Sequence, residues 1–208
     1  MSAKAAKKRT RIQIANENKI LEAARDVIAE FGFHGATIDR VAEAAGMSKP
    51  NLHYYFRTKE DLYRAVLRST LEDWIAPLSN LDPDGDPSAE LGAYIDEKLE
   101  LSRRHPNASR VFANEVLRGA PILKPYLQGE LRATVARKIA VIKGWIDKGA
   151  LAPMDPVHLI FLIWAATQHY ADFLPQVHAV MDKDALDESD YAQVSASLKH
   201  IILRGVLP

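Results

Sequence analysis

Two stretches of this chain carry side chains suited to chemistry with a partner. The first is SKPNLHYYFRTKEDL, residues 48–62, which sets Lys49, Asn51, His53, Tyr54, Tyr55 and Lys59 around a short apolar pair, Leu52 and Phe56. The second is Gln168, an amide placed between Trp164 and Tyr170 just beyond the apolar run Leu159–Thr167. Neither stretch holds an activated nucleophile. Both can hydrogen-bond and stack. A buried amide left unpaired costs roughly 1–3 kcal/mol, so Gln168 calls for a backbone carbonyl, a residue of a partner subunit or a ligand.

Catalytic chemistry is absent from the pattern. There is no G-x-S-x-G, no glycine-rich phosphate loop and no cysteine, which removes nucleophile elbows, thiolate zinc sites and disulfide frameworks together. His34 and His53 fall in the amino-terminal third, and His158, His169 and His178 lack the paired spacing with carboxylates that a metal needs. The expectation is therefore no catalytic residue, no metal, no cofactor and no enzyme. No run reaches the roughly 20 apolar residues of a membrane span, and MSAKAAKKRTR has no apolar signal core. A cytoplasmic protein without a membrane partner is expected.

Net charge is zero, yet residues 1–60 hold 11 Lys and Arg against 7 Asp and Glu, leaving 16 against 20 in the rest. Lys4, Lys7, Lys8, Arg9 and Arg11 precede any acid. A basic arm of this kind is drawn to a nucleic-acid backbone, because neutralising phosphates releases counterions. Residues 1–16 are read as a disordered basic arm, 17–62 as one domain and 63–208 as a second.

The elements that must position these groups are helical throughout. Apolar residues at Ile20, Leu21, Ala24, Val27, Ile28 and Phe31 keep the 3.6-residue period from Glu17 to Phe31, with Gly32 as the stop. Thr37 opens a short helix, TIDRVAEAAG, ending at Gly46. Ser48 opens the next, with Pro50 in its first turn where a missing N–H is harmless. Two short helices joined by so tight a turn form a helix-turn-helix. Its second helix spends Pro50, Asn51, His53 and the tyrosines outward, as a helix entering a DNA major groove would. Further helices are expected at Lys59–Leu78, Ser88–His105, Asn107–Arg118, Pro121–Lys148, Asp155–Val180 and Ala185–Leu207. The helix holding Leu159–Thr167 is apolar on nearly every face. It can therefore serve its own core and, with Ile201, Ile202 and Val206 of the last helix, a partner subunit.

FGFHGATIDRVAEAAGMSKPNLHYYFRTKEDLYRAVL, residues 31–67, resembles the DNA-binding domain of TetR-type transcriptional repressors. The shared elements are F-G-F-H-G, the Thr-capped helix, A-G-M-S, N-L-x-Y-Y-F and K-E-D-L. The resemblance implies an all-α homodimer with a three-helix amino-terminal domain that binds double-stranded DNA. A larger carboxy-terminal domain would dimerise and bind a small effector. It also implies phosphate contacts from Thr37, Tyr55 and Lys59, with Ser48, Lys49, Pro50, Asn51, His53 and Tyr54 in or beside the groove.

DWIAPL (73–78), LELSRRHPNASRVF (99–112), RGAPIL (118–123) and LAPMDPVHLIFLIWAATQHYADF carry the likeness further. They resemble the pyrimidine-utilisation branch of that family, which implies uracil or a related pyrimidine as effector. By that resemblance Gln168 would meet the ring edge and Trp74 or Trp164 its face, with Phe112, Asn114, Glu115 and Tyr170 as further candidates. An unrelated hydrophobic or acyl-CoA effector is the alternative. Pro50 and His53 stand where that branch would carry Thr and Leu, and Arg57-Thr58 where it would carry Pro-Ser, so the operator sequence is the least transferable property.

Overall fold

The computed structural model describes residues 10–208. Every regular element among them is helical, and the chain divides into two compact units, Met1–Leu67 and Arg68–Pro208. The division falls five residues beyond the expected 62/63 boundary, and Leu62, Tyr63, Val66 and Leu67 on its amino-terminal side are all buried.

In the first unit α1 (Arg11–Gly35) begins six residues earlier than the periodicity predicted. Its start is set by a capping box. Thr10 Oγ1 accepts from the Gln13 N–H while Gln13 Oε1 accepts from that of Thr10, satisfying two otherwise orphaned donors. Residues 11–16, read as disordered arm, are thus ordered helix. Lys4, Lys7, Lys8 and Arg9 lie outside the described residues. Gly32, at φ 67°, breaks the helical path near the end of α1, a conformation open to glycine at little cost.

Next come α2 (Ile38–Ala44) and α3 (Lys49–Tyr55). Between them Gly46 takes φ 59° and its N–H reaches Glu43 O, while the Met47 N–H reaches Ala42 O. That is a Schellman closure, which stops α2 sharply enough for α3 to pack against it. Ile20, Ala24, Val27, Val41, Ala42, Leu52 and Phe56 fill the core between these helices.

α4 (Lys59–Ser79) supplies residues to both units. The second unit continues with α5 (Pro87–Arg104), α6 (Pro106–Leu117), α7 (Lys124–Tyr126), a π-helical stretch Leu127–Leu131, α8 (Arg132–Asp147), α9 (Pro156–Asp172), α10 (Leu174–Met181) and α11 (Glu188–Val206). α5 packs on α9 and α11, and α9 on α6 and α8. Tyr94, Ile95, Ile142, Trp145, Leu159, Ile160, Ile163 and Ile202 form the core they share.

Two of the expected helices are divided. In place of one helix from Pro121 to Lys148, residues 121–123 are turn and the π stretch separates α7 from α8. In place of Asp155–Val180, the chain breaks at Phe173 (φ −115°, ψ 32°) and restarts with Pro175 in the first turn of α10. A continuous helix would drive the Pro175 ring into the carbonyl four residues before it. The last helix starts at Glu188 rather than Ala185, where Asp187 and Asp190 form a second capping box.

Candidate functional site

Two groups of residues answer to the expected chemistry, one in each unit.

In the first unit the hydroxyls of Thr37 and Ser48 open α2 and α3. The Arg40 N–H donates to Thr37 Oγ1 at 3.2 Å, and the Asn51 N–H to Ser48 Oγ at 3.4 Å. Leu52 and Phe56 face inward. Lys49, Pro50, Asn51 and Tyr54 are exposed, while His53 and Tyr55 are half-buried.

The tyrosines resolve by what holds them. Gln13 Nε2 donates to the Tyr54 hydroxyl at 3.0 Å, Asn16 Nδ2 donates to that of Tyr55 at 3.1 Å, and the rings meet edge to face. A phenol that accepts keeps its own O–H free to donate outward. Gln13 and Asn16 escaped the sequence reading, because the helix bearing them had been assigned to the arm.

The cations differ in how readily they can be recruited. Lys49 pairs with Asp39 at 2.9 Å, both partners more than half exposed, a contact worth little and easily exchanged. Lys59 is half-buried and already engaged. Its ammonium donates to Phe33 O at 2.9 Å and His34 O at 3.4 Å, over the Phe33 ring. Lys59 therefore ties the end of α1 to the start of α4. Arg40, stacked on Phe31 and bonded to Gly35 O, is a further exposed cation beside Thr37.

In the second unit Leu71, Trp74, Ile75, Lys98, Phe112, Leu131, Trp164 and Gln168 line a small cavity of ≈ 40 Å³. Four of the seven expected ligand residues meet there: Trp74, Phe112, Trp164 and Gln168. Trp164 is fixed by its Nε1–H donating to the Tyr94 hydroxyl at 2.5 Å. Burial raises the Tyr94 phenol well above its ordinary pKa, so it stays protonated and neutral. Among the described residues the Gln168 side-chain amide has no hydrogen-bond partner, so the backbone carbonyl that could have satisfied it is not supplied.

The other three are not in this cavity wall. Asn114 is exposed. Glu115, though buried, accepts from the Ile122 and Leu123 N–H groups at 2.6 and 3.2 Å, so its carboxylate anchors the loop after α6. Tyr170 sets its ring edge-on to His169.

Lys98 is the polar residue of this wall that sequence reading missed, alongside the apolar Leu71, Ile75 and Leu131. It is 2% exposed, and its Nζ stands 3.6 Å from the Trp74 ring centroid. Desolvation pushes its pKa well down, partly offset by the charge of Asp172. Desolvation in turn raises the Asp172 carboxyl, against a hydrogen bond from Ser109 and the charges of Lys98, Arg110 and His169. A lysine on an otherwise ordinary amphipathic helix gives no sequence signal that its head points inward. Among the described residues no cluster of His, Cys, Asp or Glu is arranged to hold a metal ion, and no helix is long and apolar enough to cross a membrane.

Residues 20–66 match the bacterial regulatory proteins of the tetR family, and residues 67–208 match the carboxy-terminal region of YcdC-like proteins. The HTH-type transcriptional regulator RutR of Escherichia coli K12 is 50% identical over 201 residues, 97% of this chain and 95% of that protein. The HTH-type transcriptional repressor SCO4008 of Streptomyces coelicolor is 26% identical over 80% of this chain and 83% of its own length. Among solved structures, the ketosteroid regulator KstR2 of Mycobacterium tuberculosis superposes with a TM-score of 0.69 at 20% identity, covering 98% of each chain. That last likeness is one of fold.

Proposed function

This chain belongs to the TetR family of bacterial regulatory proteins, and from that premise we propose that it is a pyrimidine-responsive regulator, released from its operator by uracil or a close relative. DNA binding through the helix-turn-helix and a role in transcription come with the family. The effector, the palindromic operator and the dimer are our reading.

The observation that carries the effector is the unpaired amide of Gln168 in a cavity walled by Trp74 and Trp164. A pyrimidine-dione edge alternates C=O and N–H, so one amide can donate and accept along it while an indole covers the ring face. A hydrophobic or acyl-CoA effector would call for a wide apolar cavity with Gln168 turned away, and this cavity is small, with Gln168 in its wall.

The dimer is supported by apolar surface on α9 and α11. Phe161 and Leu162 are 51% exposed and Ile201 67%, a face for which a second copy is the natural cover. In the DNA-bound state the two recognition helices would lie one turn of duplex apart, roughly 34–36 Å. Uracil that binds better to another state shifts the population and releases DNA.

Titration calorimetry of uracil tests the effector reading, with thymine as comparator. Wild-type protein is expected to bind uracil, and Gln168→Ala to bind it at least about tenfold more weakly, since roughly 1.4 kcal/mol of lost hydrogen bonding is a factor of ten. Heat from neither base would retire the pyrimidine effector and leave the DNA-binding role intact.

The tyrosine clamp gives a second expectation. On a duplex selected by the wild-type protein from a random pool, the Gln13→Ala, Asn16→Ala double variant is expected to bind roughly 5–30-fold more weakly, as two neutral hydrogen bonds at about 0.5–1 kcal/mol each would give. Unchanged affinity in a gel-shift titration would show that the hydroxyls need no support from α1.

A further inference from the structure

The small cavity leaves the pyrimidine edge half answered. Its pattern is acceptor, donor, acceptor, and Gln168 supplies one donor and one acceptor; a second carbonyl oxygen needs another donor. In the wall of the same cavity that donor is Lys98.

Its present contacts are poor for an ammonium so deeply buried. Among the described residues Lys98 Nζ makes no hydrogen bond, resting instead on the π face of Trp74. The nearest counter-charge, Asp172, acts on it electrostatically but is bonded to Ser109 Oγ, and no ion pair joins Lys98 to Asp172 among the described residues. A charge removed from water without a hydrogen-bonding partner destabilises the fold unless something else requires it. Trp74, moreover, is the ring on which a planar ligand would stack, so Lys98 occupies part of the expected seat. At ≈ 40 Å³ the cavity has room for only a few waters, and entry of a heterocycle requires a wall group to move. Trp164 is pinned through Tyr94, whereas a lysine has a flexible four-carbon stem.

Resting on the pyrimidine reading, we propose that Lys98 is a ligand-binding residue: it leaves the face of Trp74 as a planar cyclic imide enters, and donates to the ring carbonyl that Gln168 does not serve. The imide's N–H and its other carbonyl face Gln168, and its ring takes the vacated indole. With the C4 carbonyl on Lys98 and the N3–H and C2 carbonyl on Gln168, the site selects pyrimidine-diones over 4-aminopyrimidines, because cytosine presents an amino group at C4 where Lys98 also donates.

A proton follows the ligand. Burial weakens the hold of Lys98 on its proton in the empty site, and a carbonyl partner strengthens it, so the bound pKa lies above the free one. Binding therefore takes up protons, and affinity falls as pH rises through the interval between them. Asp172 is the group that opposes this on the Lys98 side, with Ser109, Arg110 and His169 around it in turn.

The test is calorimetry of uracil and cytosine on the full chain and on Lys98→Met, in two buffers of different ionisation enthalpy, with thermal melts of both unliganded proteins. The wild type is expected to bind uracil with proton uptake and to bind cytosine at least about a hundredfold more weakly. Lys98→Met is expected to melt at the same temperature or higher, to bind uracil at least about thirtyfold more weakly without the proton uptake, and to discriminate less between the bases. A variant that binds uracil within threefold of wild type, or that melts several degrees lower, overturns the assignment, the second outcome making Lys98 a structural cation. Absence of uracil binding by the wild type overturns the pyrimidine reading and this one together.

Discussion

Replacing Trp145 by alanine is expected to lower the stability of the second unit by about 3–5 kcal/mol, the range for emptying a large aromatic site in a close-packed core. Trp145 is 2% exposed near the end of α8, among Ile142, Leu151, Leu159 and Ile160. Its Nε1–H also donates to Pro83 O at 3.1 Å, while Lys138 from the same helix donates to Leu81 O at 2.9 Å. The indole thus fills the core and holds down the turn between α4 and α5. Its loss leaves both a cavity and an orphaned carbonyl. Urea denaturation followed by circular dichroism would report it as a lower midpoint with little change of slope. A shift worth less than about 1 kcal/mol would mean that the site collapses around the smaller side chain.

The second large effect is expected in the small amino-terminal unit. Leu52→Ala removes a fully buried side chain of α3, at a cost of about 2–5 kcal/mol. Stabilities of whole domains are only about 5–15 kcal/mol, and small ones sit at the low end. The variant is therefore expected to lose most operator affinity although Leu52 points away from the exposed side of α3. Uracil binding, proposed for residues of the second unit, is expected to persist. Gel shift and calorimetry on the same preparation would check the two halves. Simultaneous loss of both activities would show that the two units unfold as one.

These expectations depend on different amounts of foresight. The recognition helix was legible in the sequence because its cues are local: Ser48 as cap, Pro50 in the first turn, Leu52 and Phe56 four residues apart, and Gly46 at a turn that only a left-handed residue closes neatly. The same holds for Thr37 at the start of α2 and for Gly32 near the end of α1. The capping box at Thr10 was equally local but lay ahead of the first apolar repeat, in a stretch whose charge suggested an arm.

The π-helical stretch at Leu127–Leu131 and the helix break at Phe173 were harder. A proline such as Pro175 marks a possible restart, and which residue yields is settled by the packing on either side. Lys59 illustrates a different limit. Its side chain was read as a phosphate contact, yet two of its donors are committed to the Phe33 and His34 carbonyls, and Glu60 and Asp61 in the first turn of α4 place negative charge where a phosphate would approach.

By itself the sequence determined the all-helical class, the helix-turn-helix with its exposed and buried faces, and the apolar carboxy-terminal helix carrying Trp164 and Gln168. These follow from periodicity and capping, which act over a few residues along one helix. Only the tertiary structure decided that Trp74, Phe112, Trp164 and Gln168 share one cavity, that Glu115 is spent on a loop, and that the head of Lys98 turns inward onto Trp74. Those outcomes depend on which helix faces meet across long stretches of chain, and on desolvation, a property of the packed interior that no single segment carries.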